Sequence, residues 1–194
     1  MNKSLFVLGG TAWINLVNTT YFSNKQKIDI LVDTSSTFQW LKENNLLRES
    51  DSLALENEEL LNSLIGELRS LRHFSKVILS DLKQQGKLSP NTTEQLKKLT
   101  KQVNIGLTIN TDHDKLKLAP EGITSRDHVL YNIIYSIIDT LDSISINRIR
   151  KCEHQECCLY FVDTSRSGKR RWCSMELCGN RKKAAKFYAK KKKK

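Results

Sequence analysis

Four of the five cysteines in this 194-residue chain fall into two equal pairs, Cys152 with Cys157 and Cys173 with Cys178. Each pair has the spacing Cys-x4-Cys, and residues 158–172 lie between them. Two thiolates a few residues apart can bend back and present both sulfurs to one ion. Two such pairs complete the tetrahedral all-sulfur set that zinc takes in closed structural sites. The pattern offers no open coordination position, so the ion is read as a staple and not a catalyst. Disulfides and unrelated buried thiols are the alternatives for the same residues. A chain of this length can build a core without covalent bridges, which favours the metal. Cys158 adjoins Cys157 and can in principle replace it; choosing Cys157 keeps the two loops equal. With four thiolates at hand, His154 reads as a solvated loop residue.

The elements that must hold these sulfurs can be read around them. Tyr160-Phe161-Val162-Asp163, then Thr164-Ser165-Arg166-Ser167-Gly168, then Lys169-Arg170-Arg171-Trp172 reads as strand, turn and basic strand, a hairpin. From Ser174, a suitable N-cap, the sequence reads as a helix carrying the last ligand in its first turn. Knuckle, hairpin and helix together describe a treble-clef-like four-cysteine zinc finger.

The residues Phe161 to Asp163, Thr164-Ser165-Arg166, Arg170-Arg171-Trp172-Cys173-Ser174-Met175 and Cys178-Gly179-Asn180-Arg181 resemble the CGNR zinc finger, a bacterial family. The resemblance covers about the last quarter of the chain. It implies a stress-induced transcription regulator that binds DNA through this finger; Cys158 departs from the usual pattern. Upstream, Leu16-Val17-Asn18-Thr19, Asp29-Ile30-Leu31 through Trp40-Leu41, and Leu46 are similar to the ABATE domain that precedes such fingers. Asn15 stands where that family would have an aspartate.

Charge is distributed unevenly. The chain carries a formal +11; residues 148–194 hold 16 Lys or Arg against 4 Asp or Glu, and residues 1–147 hold 16 against 17. The positive charge therefore belongs to the finger, and a block of this density is a footprint for a polyanion. Arg166, Lys169, Arg170 and Arg171 sit on or beside the expected hairpin. Arg181, Lys182, Lys183 and Lys186 decorate the helix, with Ala184 and Ala185 keeping it slim enough for a DNA major groove. Arginine suits bidentate contact with guanine, and lysine chiefly attracts phosphate. Trp172 is read as part of the finger's small core. The lysines at the end of the chain read as an arm that adds affinity without sequence reading.

The remaining chain supplies a core, with 39% hydrophobic residues overall. A helix containing Trp13, Ile14, Leu16 and Val17 is expected first. Thr34-Ser35-Ser36 caps a short helix through Trp40 that ends near Asn44-Asn45. Leu60, Leu64, Leu68, Leu71, Ile78 and Leu82 predict a long amphipathic helix over 56–85, closed by Gly86. Arg69 and Arg72 share a face of it that reads as solvated, with an anion site as the alternative. Ser89-Pro90 opens a further helix with Leu96, Leu99 and Val103 inward. The period then changes to two: Ile105, Leu107, Ile109, Leu116 and Leu118 predict a β-hairpin with one face on the core, turning at Thr111-Asp112-His113-Asp114 and ended by Pro120 and Gly122. Thr124 and Asp127 open the most apolar helix, with Leu130, Ile133, Ile134, Ile137, Ile138, Leu141 and Ile144, expected to be the centre of the core.

These readings combine into a mainly α (α+β) N-terminal domain with a small β-hairpin over 1–147, the finger over 148–190, and a basic tail over 191–194. Trp13, Asn18, Thr19 and Trp40 are candidates to line an effector pocket. The N-terminal domain is expected to sense such a ligand or to self-associate as a homodimer. His73, His113 and His128 form no nucleophile–base set, so no enzyme is expected. No apolar run is long enough for a bilayer, the N-terminus lacks a cleavage site, and zinc thiolates need reducing conditions, which together point to the cytoplasm. The expected function is zinc-dependent DNA binding in transcription regulation. Binding to RNA or the ribosome is the alternative, and a surface-adhesive role of the lysine tail is a third.

Overall fold

The computed structural model describes residues 5–23, 26–112 and 115–191, which form a mostly helical body with three small antiparallel hairpins. Its longest element is α4, Glu58–Gln85, whose start is set by Asn57 accepting hydrogen bonds from the Glu59 and Leu60 amides. It stops at Gly86, whose φ of 67° is a left-handed cap that a side chain would strain. Leu64, Leu68, Leu71, Ile78 and Leu82 are buried as the periodicity predicts. Leu60 is not: it is exposed, and Leu61 fills the first-turn position instead.

Two other helices complete the centre. α6, Ser125–Ser143, is capped by Thr124 and buries Val129, Leu130, Ile133, Ile134 and Ile137. Ile138 is exposed, and Leu141 and Ile144 are only partly covered. The element between α4 and α6 is the six-residue α1, Ala12–Val17, with Trp13, Ile14, Leu16 and Val17 all in the core. The middle of the core is therefore α1, and α6 is one of its walls. A helix this short has no stability of its own; burial on both sides holds it. The Trp13 indole N–H donates to Thr140 Oγ1 at 3.0 Å and so pins α1 to α6.

A hairpin of short strands that the periodicity does not announce follows α1. β1 (Thr20–Ser23) pairs with β2 (Gln26–Asp29), placing Thr20 opposite Asp29. Helix α2, Thr34–Glu43, is capped by Asp33 and not by the Thr-Ser-Ser cluster, the Asp33 carboxylate accepting the Ser36 amide at 2.6 Å. Arg72 and Arg69 on α4 reach this region; Arg69 is exposed as expected, whereas Arg72 is buried. Arg72 grips Asp29 with two hydrogen bonds of 2.6 and 2.7 Å and donates to Thr19 Oγ1; Arg69 donates twice to the Leu31 carbonyl. A guanidinium can be buried here because its donors are matched.

The short α3, Glu49–Ala54, has too little apolar periodicity to be foreseen. Ser89 caps α5, Pro90–Thr100, accepting the Thr92 amide at 3.2 Å.

β3 (Ile105–Asp112) and β4 (Lys115–Gly122) form the expected hairpin, with Ile109 opposite Leu118 at its middle. His113 and Asp114 of its turn lie outside the described residues. Two expectations fail here. Pro120 does not end the strand but sits within it opposite Leu107. The apolar face is turned to solvent: Leu107, Ile109, Leu116 and Leu118 are 72%, 63%, 74% and 67% exposed. At the base, Gly122 lies so near the first turn of α6 that an added Cβ would fall 2.0 Å from the His128 amide. This contact places the base of the hairpin against α6.

A short turn, Ile146–Arg148, leads from α6 to β5 (Ile149–Lys151), which pairs with β6 (Tyr160–Val162). The finger's hairpin is thus made across the first cysteine loop, and residues 169–172 form no strand. The backbone there meets the first cysteine loop through the Glu153 N–H, which donates to the Arg171 carbonyl at 3.0 Å. After Ser174 come one wide π-turn, Met175–Gly179, and helix α7, Asn180–Lys191.

Candidate metal centre and basic surface

β5 and β6 bring Cys152 and Cys157 to one end of their hairpin. The Cys152 amide donates to the Leu159 carbonyl, and the Cys157 amide to the His154 carbonyl, which closes the loop into a knuckle. The second pair is shaped by the π-turn. Ser174 Oγ accepts the Leu177 amide, while the Ser174 carbonyl accepts the Cys178 and Gly179 amides. The wider turn carries residue i+5 back over residue i better than an α-turn does, which is why Cys-x4-Cys works at a helix start. Gly179 lies so close to Trp172 and Met175 that a Cβ would meet Met175 Sδ at 2.6 Å.

The sulfurs of Cys152, Cys157, Cys173 and Cys178 all lie within 4.8 Å of one another. Cys173 is 3.7 Å from Cys178 and 3.8 Å from Cys157. Zinc–sulfur bonds of about 2.3 Å put the corners of a tetrahedron about 3.8 Å apart, so these contacts have the edge length that zinc needs. They are far beyond a disulfide bond, and all five cysteines are free thiols. Cys158 is not a ligand; its sulfur is directed to the Thr20 carbonyl at 3.9 Å. His154 Nδ1 accepts the Glu156 amide and takes no part in the cluster.

Electrostatics point the same way. Hydrogen bonds from the Cys157 and Cys173 thiols pull the Cys152 pKa far down. Cys157 is pushed up to about 12, first by its hydrogen bond with Cys152. The same neighbour raises Cys173, and burial leads the rise of Cys178. Sulfurs this close can all be deprotonated together only around a cation, which a structural zinc supplies. Cys152, Cys173 and Cys178 are buried with Leu8, Leu159 and Phe161, and the half-buried Cys157 and Trp172 pack beside them, the latter as expected.

A second hub shapes the loop between the pairs. Asp163 is completely buried and accepts hydrogen bonds from Ser165 N–H, Ser165 Oγ and Arg170 N–H at 3.0, 2.6 and 2.8 Å. Burial alone would raise its pKa; those bonds and the charge of Arg148 hold it below the ordinary carboxylate range. Arg148 donates to the Asp163 and Ser165 carbonyls, and Arg150 to the Gly168 and Arg170 carbonyls. At the tip, Gly168 has a φ of 63°, a turn that favours glycine. Sequence reasoning missed Asp163, Arg148 and Arg150. The available signal was a lone aspartate inside a strongly basic block.

Not every expected nucleic-acid contact faces outward freely. Arg166, Lys169, Arg181 and Lys183 are exposed, and Lys182 is partly so. Arg171 is exposed but pairs with Glu153 at 2.6 Å. Arg170 is committed internally: it stacks 4.5 Å over the Phe161 ring and donates to the Trp172 and Cys173 carbonyls. The side chain of Lys186 and residues Lys192 to Lys194 of the tail lie outside the described residues.

The residues named for an effector pocket are spent within the fold. Trp13, Thr19 and Trp40 are completely buried and Asn18 nearly so. Thr19 Oγ1 bonds to the Leu16 carbonyl, and Asn18 reaches across to the finger. Its side-chain amide donates to the Tyr160 carbonyl at 2.8 Å, and its oxygen accepts the Tyr160 N–H at 2.9 Å. Asn18 thus acts as a one-residue strand beside β6. Val162 adds a bond to the Gly9 carbonyl and belongs to the helical core. Asn15 holds the preceding turn, accepting the Gly9 amide and donating to Asn44.

Residues 148–191 match the family model of the CGNR zinc finger, and the C-terminal module is a zinc finger of that kind. A search of curated proteins found no significant match to the chain. Among the described residues, no helix is long and apolar enough to cross a membrane.

Proposed function

We propose that this protein is a DNA-binding transcription regulator of the cytoplasm, its finger gripping duplex DNA while a helical, ABATE-like body carries it. The observation that supports this most is the exposure of Arg166, Lys169, Arg181 and Lys183 on the zinc-held loop and α7, when the body is close to neutral. The loop is braced by Asp163, Arg148 and Arg150, so its cations are presented on a fixed frame. α7 carries Lys182 and Lys183 beside Ala184 and Ala185, a profile that fits a major groove. The frame depends on the metal, and structural zinc contributes on the order of 10–16 kcal/mol to the folding of small zinc modules.

Binding of the zinc-loaded protein to random-sequence duplex DNA, measured across a salt series, tests the reading. Reversing Lys182 and Lys183 to Glu should reduce the slope of log K against log salt by about 2, and Cys178→Ser should abolish binding with the helical body retained. Wild-type affinity in either variant would overturn it. Preference for structured RNA over duplex DNA at matched salt would transfer the finger to RNA.

A further inference from the structure

The β3–β4 hairpin reverses the usual arrangement of a two-stranded ribbon. Its register places Ile105, Leu107, Ile109 and Thr111 on one face with Leu116, Leu118 and Pro120. That face is uncharged and points away from the body. On the opposite face Gly106, Thr108, Ala119 and Glu121, nearer the base, are half-buried, and Asn110 and Lys117 are exposed. The ribbon's base is held firmly in this pose. Arg48 donates to the Gly122 carbonyl at 2.9 Å, pairs with Glu121 at 3.4 Å and is itself fixed by the buried Asp51. The Ile123 amide closes the base on the Asn104 carbonyl at 3.0 Å.

We propose that this ladder is a homodimerisation surface, occupied by the same ladder of a second copy of the chain. Three observations favour a second copy. The strip carries no charge, so two copies can meet face to face without opposing like charges at the centre. The five exposed aliphatic side chains, Ile105, Leu107, Ile109, Leu116 and Leu118, present the surface of about three fully exposed ones. With Thr111, Pro120 and Ile123 at the margin, two copies would cover on the order of 1,000 Å² in total, the lower bound for a specific, concentration-dependent interface. Finally, the ribbon joins α6 at its N-terminal end and the basic finger leaves from the C-terminal end, about 28 Å away for 19 residues. Pairing through the ribbons keeps the two positively charged fingers apart. β4 carries Lys115, Lys117 and Pro120, which disfavour addition of a further strand at its edge and leave the face as the adhesive part. Association through this face is independent of whether the finger binds DNA.

Sedimentation equilibrium of the full-length, zinc-loaded protein tests the proposal. A monomer–dimer equilibrium is expected in the micromolar range. The double variant Leu107→Glu/Leu118→Glu should remain monomeric at least tenfold above the wild-type midpoint, with unchanged zinc content and circular dichroism, because both positions are already exposed. The matching Leu107→Lys/Leu118→Lys variant should also be monomeric alone, and a mixture of the two should restore the dimer. A wild-type protein that stays monomeric at about 100 μM, or a dimer indifferent to the paired glutamates, would overturn the assignment. So would a mixture that fails to associate.

Discussion

Replacing Asn18 by Asp changes one nitrogen into an oxygen and should loosen the finger from the helical body. In the native protein the Asn18 amide satisfies both the N–H and the C=O of Tyr160, at 2.9 and 2.8 Å. Aspartate keeps the acceptor for the N–H but sets a carboxylate oxygen against the Tyr160 carbonyl. The lost hydrogen bond is worth about 1 kcal/mol, and the stranded acceptor adds about 1–3 kcal/mol. A destabilisation of about 2–4 kcal/mol therefore follows, which at this chain length lowers Tm by roughly 4–16 °C. Asn18 is nearly buried, so solvent cannot relieve the clash cheaply. The assay is thermal unfolding of the zinc-loaded protein, joined to hydrogen exchange at the Tyr160 and Val162 amides. Those amides should lose protection selectively, whereas the α4 amides should follow only the global change. A Tm within 2 °C of wild type, with Tyr160 still protected, would refute the claim that this side chain is the clasp.

Other outcomes follow from the same contacts. Purified, reduced protein should hold one zinc per chain, and Cys173→Ser should lose it while Cys158→Ser should not, as read by a colorimetric chelator after thiol release. Asp163→Ala strips three hydrogen bonds from the basic loop and should cost about 2–4 kcal/mol, read as earlier metal loss in a chelator titration. Asp29→Asn should cost about 2 kcal/mol, less than for a fully buried pair because the Asp29 side chain is a quarter exposed. The pH signature follows from Arg72, which lowers the Asp29 pKa below its ordinary 3.8. The pair's stabilisation is present above that unfolded value and is lost as pH falls through the lower folded value. Urea midpoints of wild type and Asp29→Asn should therefore converge toward acid; a gap that is constant down to pH 2 would count against the ion pair.

Long periodic segments were readable from residues alone. α4 and α6 repeat their apolar positions over many turns, and Gly86 and Thr124 mark the end of one and the start of the other. The four sulfurs were legible because their spacing is chemistry in itself. What escaped reading depends on partners distant in the chain. The short strands β1 and β2 have no apolar alternation to announce them. Arg72 is buried only because Asp29 and Thr19 meet its donors. The alternation of Leu107, Ile109, Leu116 and Leu118 identified strands correctly, but periodicity does not say whether an apolar face meets its own body or the outside. In the finger, Tyr160–Val162 was rightly a strand, yet it chose β5 over the arginine-rich segment 169–172, whose Arg170 and Trp172 carbonyls are taken by arginine side chains.

β6 is three residues long, and alternate side chains leave it in opposite directions. Phe161 enters the compartment around the cysteines, and Val162 enters the one built by α1, α4 and α6. A boundary drawn anywhere between the helical body and the finger would therefore cut through shared packing. Chimeras that graft this finger elsewhere must carry a matching Leu8–Thr20 segment with it, and a finger cut free at Arg148 would leave the Leu8 and Asn18 seats empty. Separate in the linear code, the two units share one strand's packing.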